Sequence, residues 1–412
     1  MALNGHWTDF VTEFMNYSAE APIPPSPDIF RKWAGIALVG GSLGRRVWTK
    51  SAMGLTYPNT YILLTGNPGT GKFIIEEVRN LWNEAKVEGA EKSPFHVAPD
   101  SMSHASLIDA VKEAKISFLP PKGPPLLYHS LLIPAEEFQV LIPTYTPEYI
   151  SRLNDLFNNK DSHRETRRTG SVQNIVIERP QISIIGGVTP AYLTSTFPEQ
   201  AWNTGLARRM IFIYSNEQIV KDLFEEKEWD EERRENLLIR LGQMSQMYGQ
   251  FKFTNSAAKC LAEWHIAGGP PTPDHSKLVH YNRSRTNLHV LKLSMISAIS
   301  RTGQLIIEEP DAQRAISWLL EAESFMPGIF RAMVGRSDVE VIEELWLYVA
   351  TQYKNSKEPI RGAVIAAFLG ERCDSRLVTP IWEQAARSEV IQLVAGSQDL
   401  WIPGPRTSFR RS

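Results

Sequence analysis

The spacing of apolar positions divides the chain into stretches of different period. Phe10, Val11, Phe14 and Met15 repeat at helical spacing, and a proline-rich segment at 22–27 interrupts them. A second apolar helix is expected over 29–43, ending at Arg45-Arg46, so residues 1–57 read as an N-terminal helical collar. From 58 to 216 short apolar runs alternate with helical stretches, the pattern of a parallel sheet with crossover helices. The runs are 61–65, 126–133, 182–186 and 210–214, and a helix is expected over 74–87. Residues 217–335 read as a helical lid region. Its first part, 217–240, is rich in Glu, Lys and Arg and predicts a solvated helix, and a Gly-Pro loop at 268–273 interrupts the remainder. Residues 338–403 predict helices over 339–353, 360–369 and 376–388, then strands at 390–394 and 400–402 about a turn at Gly396. Three helices and a short hairpin match a winged-helix-like domain. The tail, 404–412, is basic and is expected to be disordered.

Candidate chemistry starts where the run 61–65 meets Gly66-Asn67-Pro68-Gly69-Thr70-Gly71-Lys72-Phe73. A strand, a glycine-rich turn and a helix start are the context of a phosphate-binding loop. Its glycines let backbone N–H groups turn toward phosphate oxygens, and the helix start adds its positive dipole end. Lys72 is expected to reach the β- and γ-phosphates of ATP. The next position normally carries the hydroxyl that ligates Mg²⁺; here it is Phe73, which has no oxygen to offer. Nucleotide binding is thus the stronger inference and hydrolysis the weaker.

Such a site also needs acidic groups at the tip of a neighbouring strand. The run that begins at Leu126 ends in Ala135-Glu136-Glu137-Phe138. Glu136 occupies the metal-binding place, where Asp is usual, and Glu137 the place of the group that activates water.

With these residues in order, the chain resembles the phage- and prophage-encoded AAA+ ATPases of the replicative helicase, or helicase–primase C-terminal, type. These are distant relatives of the superfamily-three helicases. The resemblance runs from about residue 10 to 319. It includes Trp33 with Gly44-Arg45-Arg46-Val47-Trp48, the phosphate loop, the acidic motif, Ile184-Ile185-Gly186-Gly187-Val188-Thr189-Pro190, and Gly205-Leu206-Ala207-Arg208-Arg209-Met210. It implies an AAA+ P-loop NTPase fold, with Thr189 sensing the γ-phosphate. It also implies that Arg209, or Arg208, serves a neighbouring subunit as an arginine finger. A homo-oligomeric ring, expected to be a hexamer, follows from a finger that acts across a subunit boundary. Phe73 and Glu136 depart from the family pattern.

The stretch before the sensor run holds Lys160, Arg164, Arg167 and Arg168, and Gly170 followed by the β-like 172–177 suggests a hairpin. In ring helicases a hairpin here contacts the backbone of single-stranded DNA, a sequence-independent and salt-sensitive grip. Arg361 and Arg376 could add a duplex contact from the winged helix, or that module could bind protein. Arg283 and Arg285 are expected to begin a surface helix, with a nucleotide-sensing contact as the sharper alternative, and Trp264 and His265 are expected in a core.

Composition narrows this picture. A net charge of −2 confines any nucleic-acid site to a local patch. The two cysteines, Cys260 and Cys373, argue against a disulfide framework or thiolate zinc site and fit a reducing compartment. No apolar run has the length of a membrane span, so no membrane partner and a cytoplasmic location are expected. Two functions remain open: an ATP-driven DNA helicase of phage or mobile-element replication, working with a primase or polymerase partner, or a nucleotide-gated helicase loader or initiator.

Overall fold

The computed structural model describes residues 7–52, 54–99, 102, 104–121, 123–142, 147–169, 171–197, 205–220, 222, 224, 228–269, 285, 289–333, 338–373 and 375–405. The chain forms two compact units, 1–330 and 331–412. Helix α1 (Phe10–Glu20) starts at Asp9, whose carboxylate accepts the Thr12 N–H at 2.9 Å, a side-chain N-cap. Helix α2 (Asp28–Leu43) follows the prolines and ends where Gly44 takes φ +57°. Strands β1 (Val47–Ser51) and β2 (Gly54–Thr56) form a small antiparallel pair.

The main sheet is built from β3 (Tyr61–Thr65), β4 (His96–Val97), β5 (Lys115–Phe118), β6 (Leu126–Ala135), β9 (Pro180–Val188) and β10 (Met210–Tyr214). Between β6 and β9 the chain forms β7 (Ser162–Thr169) and β8 (Ser171–Glu178), paired antiparallel as a separate hairpin. The sheet order is β10-β3-β9-β6-β4, all parallel, with β5 antiparallel against β6. Every residue of β3 and β9 is buried, which is why β3 reads as a near-continuous apolar run rather than an alternating one; β9 also buries Gln181 and Ser183. Helix α3 (Ile74–Glu84) follows the loop after β3.

Helix α2 lies inside the first unit, buried from Trp33 to Leu43. Its glycines let neighbouring groups come close. A Cβ on Gly41 would lie 2.6 Å from the Trp82 ring and 2.9 Å from Leu132, and one on Gly40 would lie 2.9 Å from Ile296. The Trp82 Nε1–H donates to Ser42 Oγ at 3.2 Å, satisfying the one polar atom of that ring.

Several expected boundaries shift. Helix α3 stops at Glu84 rather than 87, because the Lys86 N–H leaves to donate to the Leu238 carbonyl. The charged stretch 217–240 is not one solvated helix. Residues 215–220 carry no regular structure, and the helix Glu231–Met244 begins where the Asp230 carboxylate caps Arg233 N–H at 2.9 Å. That helix buries Leu237, Leu238, Leu241 and Met244 and so belongs to the core. The helices Asn255–Ala267, Leu291–Thr302 and Glu309–Met333 complete the lid region, with a short parallel pairing of Lys252–Phe253 and Ile306–Ile307 among them. Most of the Gly-Pro loop lies outside the described residues. Trp264 packs against the core as expected, but His265 is exposed.

The second unit has helices Asp338–Ser356, Gly362–Gly370 and Ser375–Arg387. Ile360–Arg361, Leu400–Pro403 and Ile391–Leu393 make a three-stranded antiparallel sheet in that order. Residues 360–361 were expected to be helical. They pair with Trp401 and Leu400 instead, and the helix starts at Gly362, whose N–H donates to Asp399. The basic tail from 406 lies outside the described residues. Among the described residues no helix is long and apolar enough to cross a membrane.

Gly41→Ala puts a methyl against Trp82 and Leu132 in a packed interior and is expected to cost about 1–3 kcal/mol. Urea unfolding followed by tryptophan fluorescence reads this as a lower midpoint at unchanged slope.

Candidate nucleotide and nucleic-acid site

Gly66 N–H donates to the Val188 carbonyl at 3.1 Å, tying the loop's first residue to the end of the adjacent strand. Gly69 and Gly71 take φ +82° and +76°, a conformation that favours glycine, so the loop can close on itself. A Cβ on Gly66 would lie 2.5 Å from both Ser215 O and Thr70 Oγ1. Thr70 Oγ1 donates to the Asn67 carbonyl at 2.8 Å, and Asn67 Nδ2 donates to Asn216 Oδ1 at 2.7 Å. Pro68 is exposed at the tip. The Lys72 ammonium folds across the loop, donating to Gly66 O at 2.8 Å and Asn67 O at 2.9 Å. Burial lowers its pKa. Phe73 takes helical dihedrals at the start of α3, and its ring is 58% exposed.

The strand register brings the acidic motif to the same edge. Thr65 pairs with Val188, and Ala135 pairs with Gly186, so β3, β9 and β6 end side by side. Thr189 and Glu136 are therefore the next residues after adjacent strand ends, one and two strands from the phosphate loop. A Cβ on Gly187 would strike the Glu136 carbonyl oxygen, which explains the glycine at that crossing. Glu136 is half-buried. Glu137 is exposed and accepts from Gln139 Nε2 at 3.2 Å. Thr189 is half-buried and opens the helix Pro190–Thr196.

A cavity of about 590 Å³ is lined by Asp28, Lys32, Tyr214, Asn216, Glu321 and Phe325 among others. Asn216 links it to the loop through Asn67, and Lys32 Nζ holds both Glu321 oxygens at 2.8 and 2.9 Å on its wall.

Arg208 and Arg209 are not at this edge. They precede β10, whose Met210 pairs with Tyr61 at the beginning of β3. A five-residue strand separates them from the loop by about 17 Å. Arg209 is held within its own chain: it donates to Gly205 O at 2.7 Å and to Asn158 Oδ1 at 2.9 Å, and stacks over Phe157 at 5.8 Å. Burial lowers its pKa. Arg208 is half-buried, and its Nε finds no hydrogen-bond partner among the described residues.

Beside these arginines lies a buried polar cluster that the sequence reading did not single out. Lys292 Nζ donates to Asn59 O at 2.8 Å and Asn59 Oδ1 at 2.6 Å and lies 4.0 Å from the Phe157 ring centre. Burial, with Arg209 nearby, puts its pKa well below the ordinary lysine value. Arg285, expected at a surface helix start, is instead buried and paired with Glu323, its Nε 2.7 Å from Oε1. Burial pushes the Glu323 carboxyl up to about 7, with the Arg285 guanidinium opposing the shift. Arg283 lies outside the described residues. No local periodicity marks Asn59, Lys292 or Glu323, because each is defined by partners far away in the chain.

The expected hairpin is present, with Arg164 paired to Val176, Arg167 to Gln173 and Arg168 to Val172. Arg164 is exposed. The side chains of Arg167 and Arg168 lie outside the described residues. Lys160 lies just before β7 and is paired with Asp155 at 2.7 Å. Two acids here have cationic partners: Asp161, just before β7, is 3.7 Å from Arg45, and Glu165 is 3.2 Å from Arg152; Glu178, at the end of β8, is exposed. In the second unit Arg361 and Arg376 are both exposed.

No protein-family model matches the chain, and no curated protein matches it significantly. The residues therefore carry the functional argument alone.

His289 Nε2 lies 2.9 Å from the Arg208 carbonyl, so the ring donates there, and burial lowers its pKa from near 6.5 to about 3. Its contribution to stability is present above pH 6.5 and is lost as pH falls toward 3. Glu323 has the opposite sign: its contribution is present below about 4.5 and is lost as pH rises through about 7. Comparing His289→Gln with the parent separates the two. The midpoint of urea unfolding should fall less steeply between about pH 6.5 and pH 4 in the variant than in the parent.

Proposed function

We propose that this chain is a nucleotide-binding ATPase of the AAA+ type that assembles as a ring on single-stranded DNA and drives its translocation. The observation that carries the reading is the sheet order. The strand before the phosphate loop and the strand before the acidic pair flank one strand, which Thr189 directly follows. That order gathers the glycine cradle, Lys72, Glu136, Glu137 and Thr189 at one edge.

The loop fits a nucleotide's phosphates. It has two left-handed glycines, free room at Gly69, and an ammonium that donates to two backbone carbonyls and a hydroxyl. The cavity that Asn216 links to the loop suits a base and sugar. Mg²⁺, when bound, would neutralise charge on the β- and γ-phosphates, with Glu136 as the candidate protein anchor and the rest of its shell left to water. Glu137 is the group proposed to take the attacking water's proton, and Thr189 the γ-phosphate contact.

The arginines lie too far along the strands to reach their own loop, which favours action across a subunit boundary. Arg208 suits the finger better than Arg209, which Gly205 and Asn158 already hold. The β7–β8 hairpin at the same edge is proposed to offer exposed Arg164 to DNA phosphates, with Asp161 and Glu165 engaged by Arg45 and Arg152. The second unit's three helices and three-stranded sheet support the winged-helix assignment.

One observation favours a second reading. Phe73 presents an exposed ring at the metal-ligand position, which suits a helicase loader or initiator that binds nucleotide and turns it over slowly. Steady-state ATP hydrolysis with and without oligo-dT separates the two. DNA-stimulated turnover by this chain supports the translocase. Turnover only after Phe73→Ser, by at least about tenfold, and its loss on adding Glu137→Gln, supports the loader. Absence of ATP binding, and no loss on Lys72→Ala, would remove both. Arg164→Ala should weaken oligo-dT binding and lower the slope of log K against log salt by about 0.7.

A further inference from the structure

The segments that flank one helix touch the phosphate loop at one end and the seat of the basic hairpin at the other. At its leading end, a Cβ on Gly71 would lie 2.6 Å from Ser26 Cα, so the segment before α2 rests directly on the loop. Ser26 is tied to the helix, because Arg31 Nη1 donates to its carbonyl at 2.9 Å. The sixteen residues of α2 span about 24 Å. The helix is enclosed along this length by Phe14, Trp82, Leu132 and Ile296 and has no internal proline.

At the far end Gly44 ends the helix and Arg45 turns inward, buried at 4% exposure. Its Nη1 donates to Lys160 O at 2.8 Å and Pro180 O at 3.2 Å, the residues just outside the hairpin strands. The base is closed there by Arg179 N–H donating to Asp161 O at 2.8 Å. Tyr57 stacks on the guanidinium at 4.7 Å.

We infer that Arg45 is a positioning residue through which occupancy of the phosphate loop sets the pose of the β7–β8 hairpin. The inference rests on the nucleotide-binding reading. Phosphates compete with Gly66 O and Asn67 O for the Lys72 ammonium, and closing the loop on them displaces Gly71. Packing leaves Ser26 no room to stay behind. A helix held on several sides shifts as a body rather than bending, and small shifts of packed helices are the usual shear motion of a domain. Charged hydrogen bonds from Arg45 to both flanks of the hairpin carry that shift to its base.

Backbone hydrogen exchange over residues 162–178 tests this, measured on the full chain with and without ATP and Mg²⁺. ATP affinity and thermal melting are measured on the same samples. In the parent, nucleotide should change exchange in the hairpin by about fivefold or more. Arg45→Ala should reduce that response below about twofold, with ATP affinity unchanged, and Arg45→Lys should restore most of it. If Arg45→Ala melts early, Arg45→Gln carries the comparison. A parent that binds ATP with no change in the hairpin overturns the coupling while leaving nucleotide binding standing. So does a folded Arg45→Ala that keeps the full response. A parent that binds no ATP overturns both.

Discussion

Burial of α2 is the constraint on which the rest of the first unit depends. This helix contacts the helix after the glycine loop, the acidic strand and the helix Leu291–Thr302, and the segment just before it rests on that loop. Close approach is possible because Gly40 and Gly41 carry no Cβ where Ile296, Trp82 and Leu132 press in. Dispersion contacts on this scale are individually small, yet together they leave the interior little freedom to yield. What the sequence presents as a collar is thus the interior wall of the unit. The loop, the acids and the hairpin seat are all referenced to it.

Strand direction separates two kinds of chemistry. The parallel strands deliver the phosphate loop, Thr189 and the acidic pair at their C-terminal ends. Their N-terminal ends carry Arg208, Arg209, Lys292 and the basic hairpin. The proposed function assigns the nucleotide and its metal to the first edge, and DNA and a neighbouring subunit to the second. The proposed ring is compatible with this separation, since an arginine at one edge would complete a site at the other only if a second copy supplied it.

Electrostatics at each edge is held in check by short-range partners. Lys72 donates to two backbone carbonyls. Lys292 is satisfied by Asn59 and the Phe157 ring, and Arg285 by Glu323. Buried charges that lack such partners cost several kcal/mol. These pairings are therefore requirements of the fold before they are features of any reaction.

The sequence by itself determined the strand runs, the glycine loop and the helix after it, because backbone geometry at those places depends on neighbours in the chain. Four of the strands that define the sheet were legible for the same reason, since a strand buried on both faces reads as a near-continuous apolar run. The acidic pair was legible as a strand ending. Tertiary structure decided what depends on distant partners. It buried Arg285 against Glu323, drew 231–244 into the core, turned 360–361 into a strand and committed Arg209 to Asn158. It also set which edge of the sheet each charge occupies. Local pattern cannot encode these outcomes, because desolvation and hydrogen bonding act on whatever the packed chain brings together, whatever its separation in sequence.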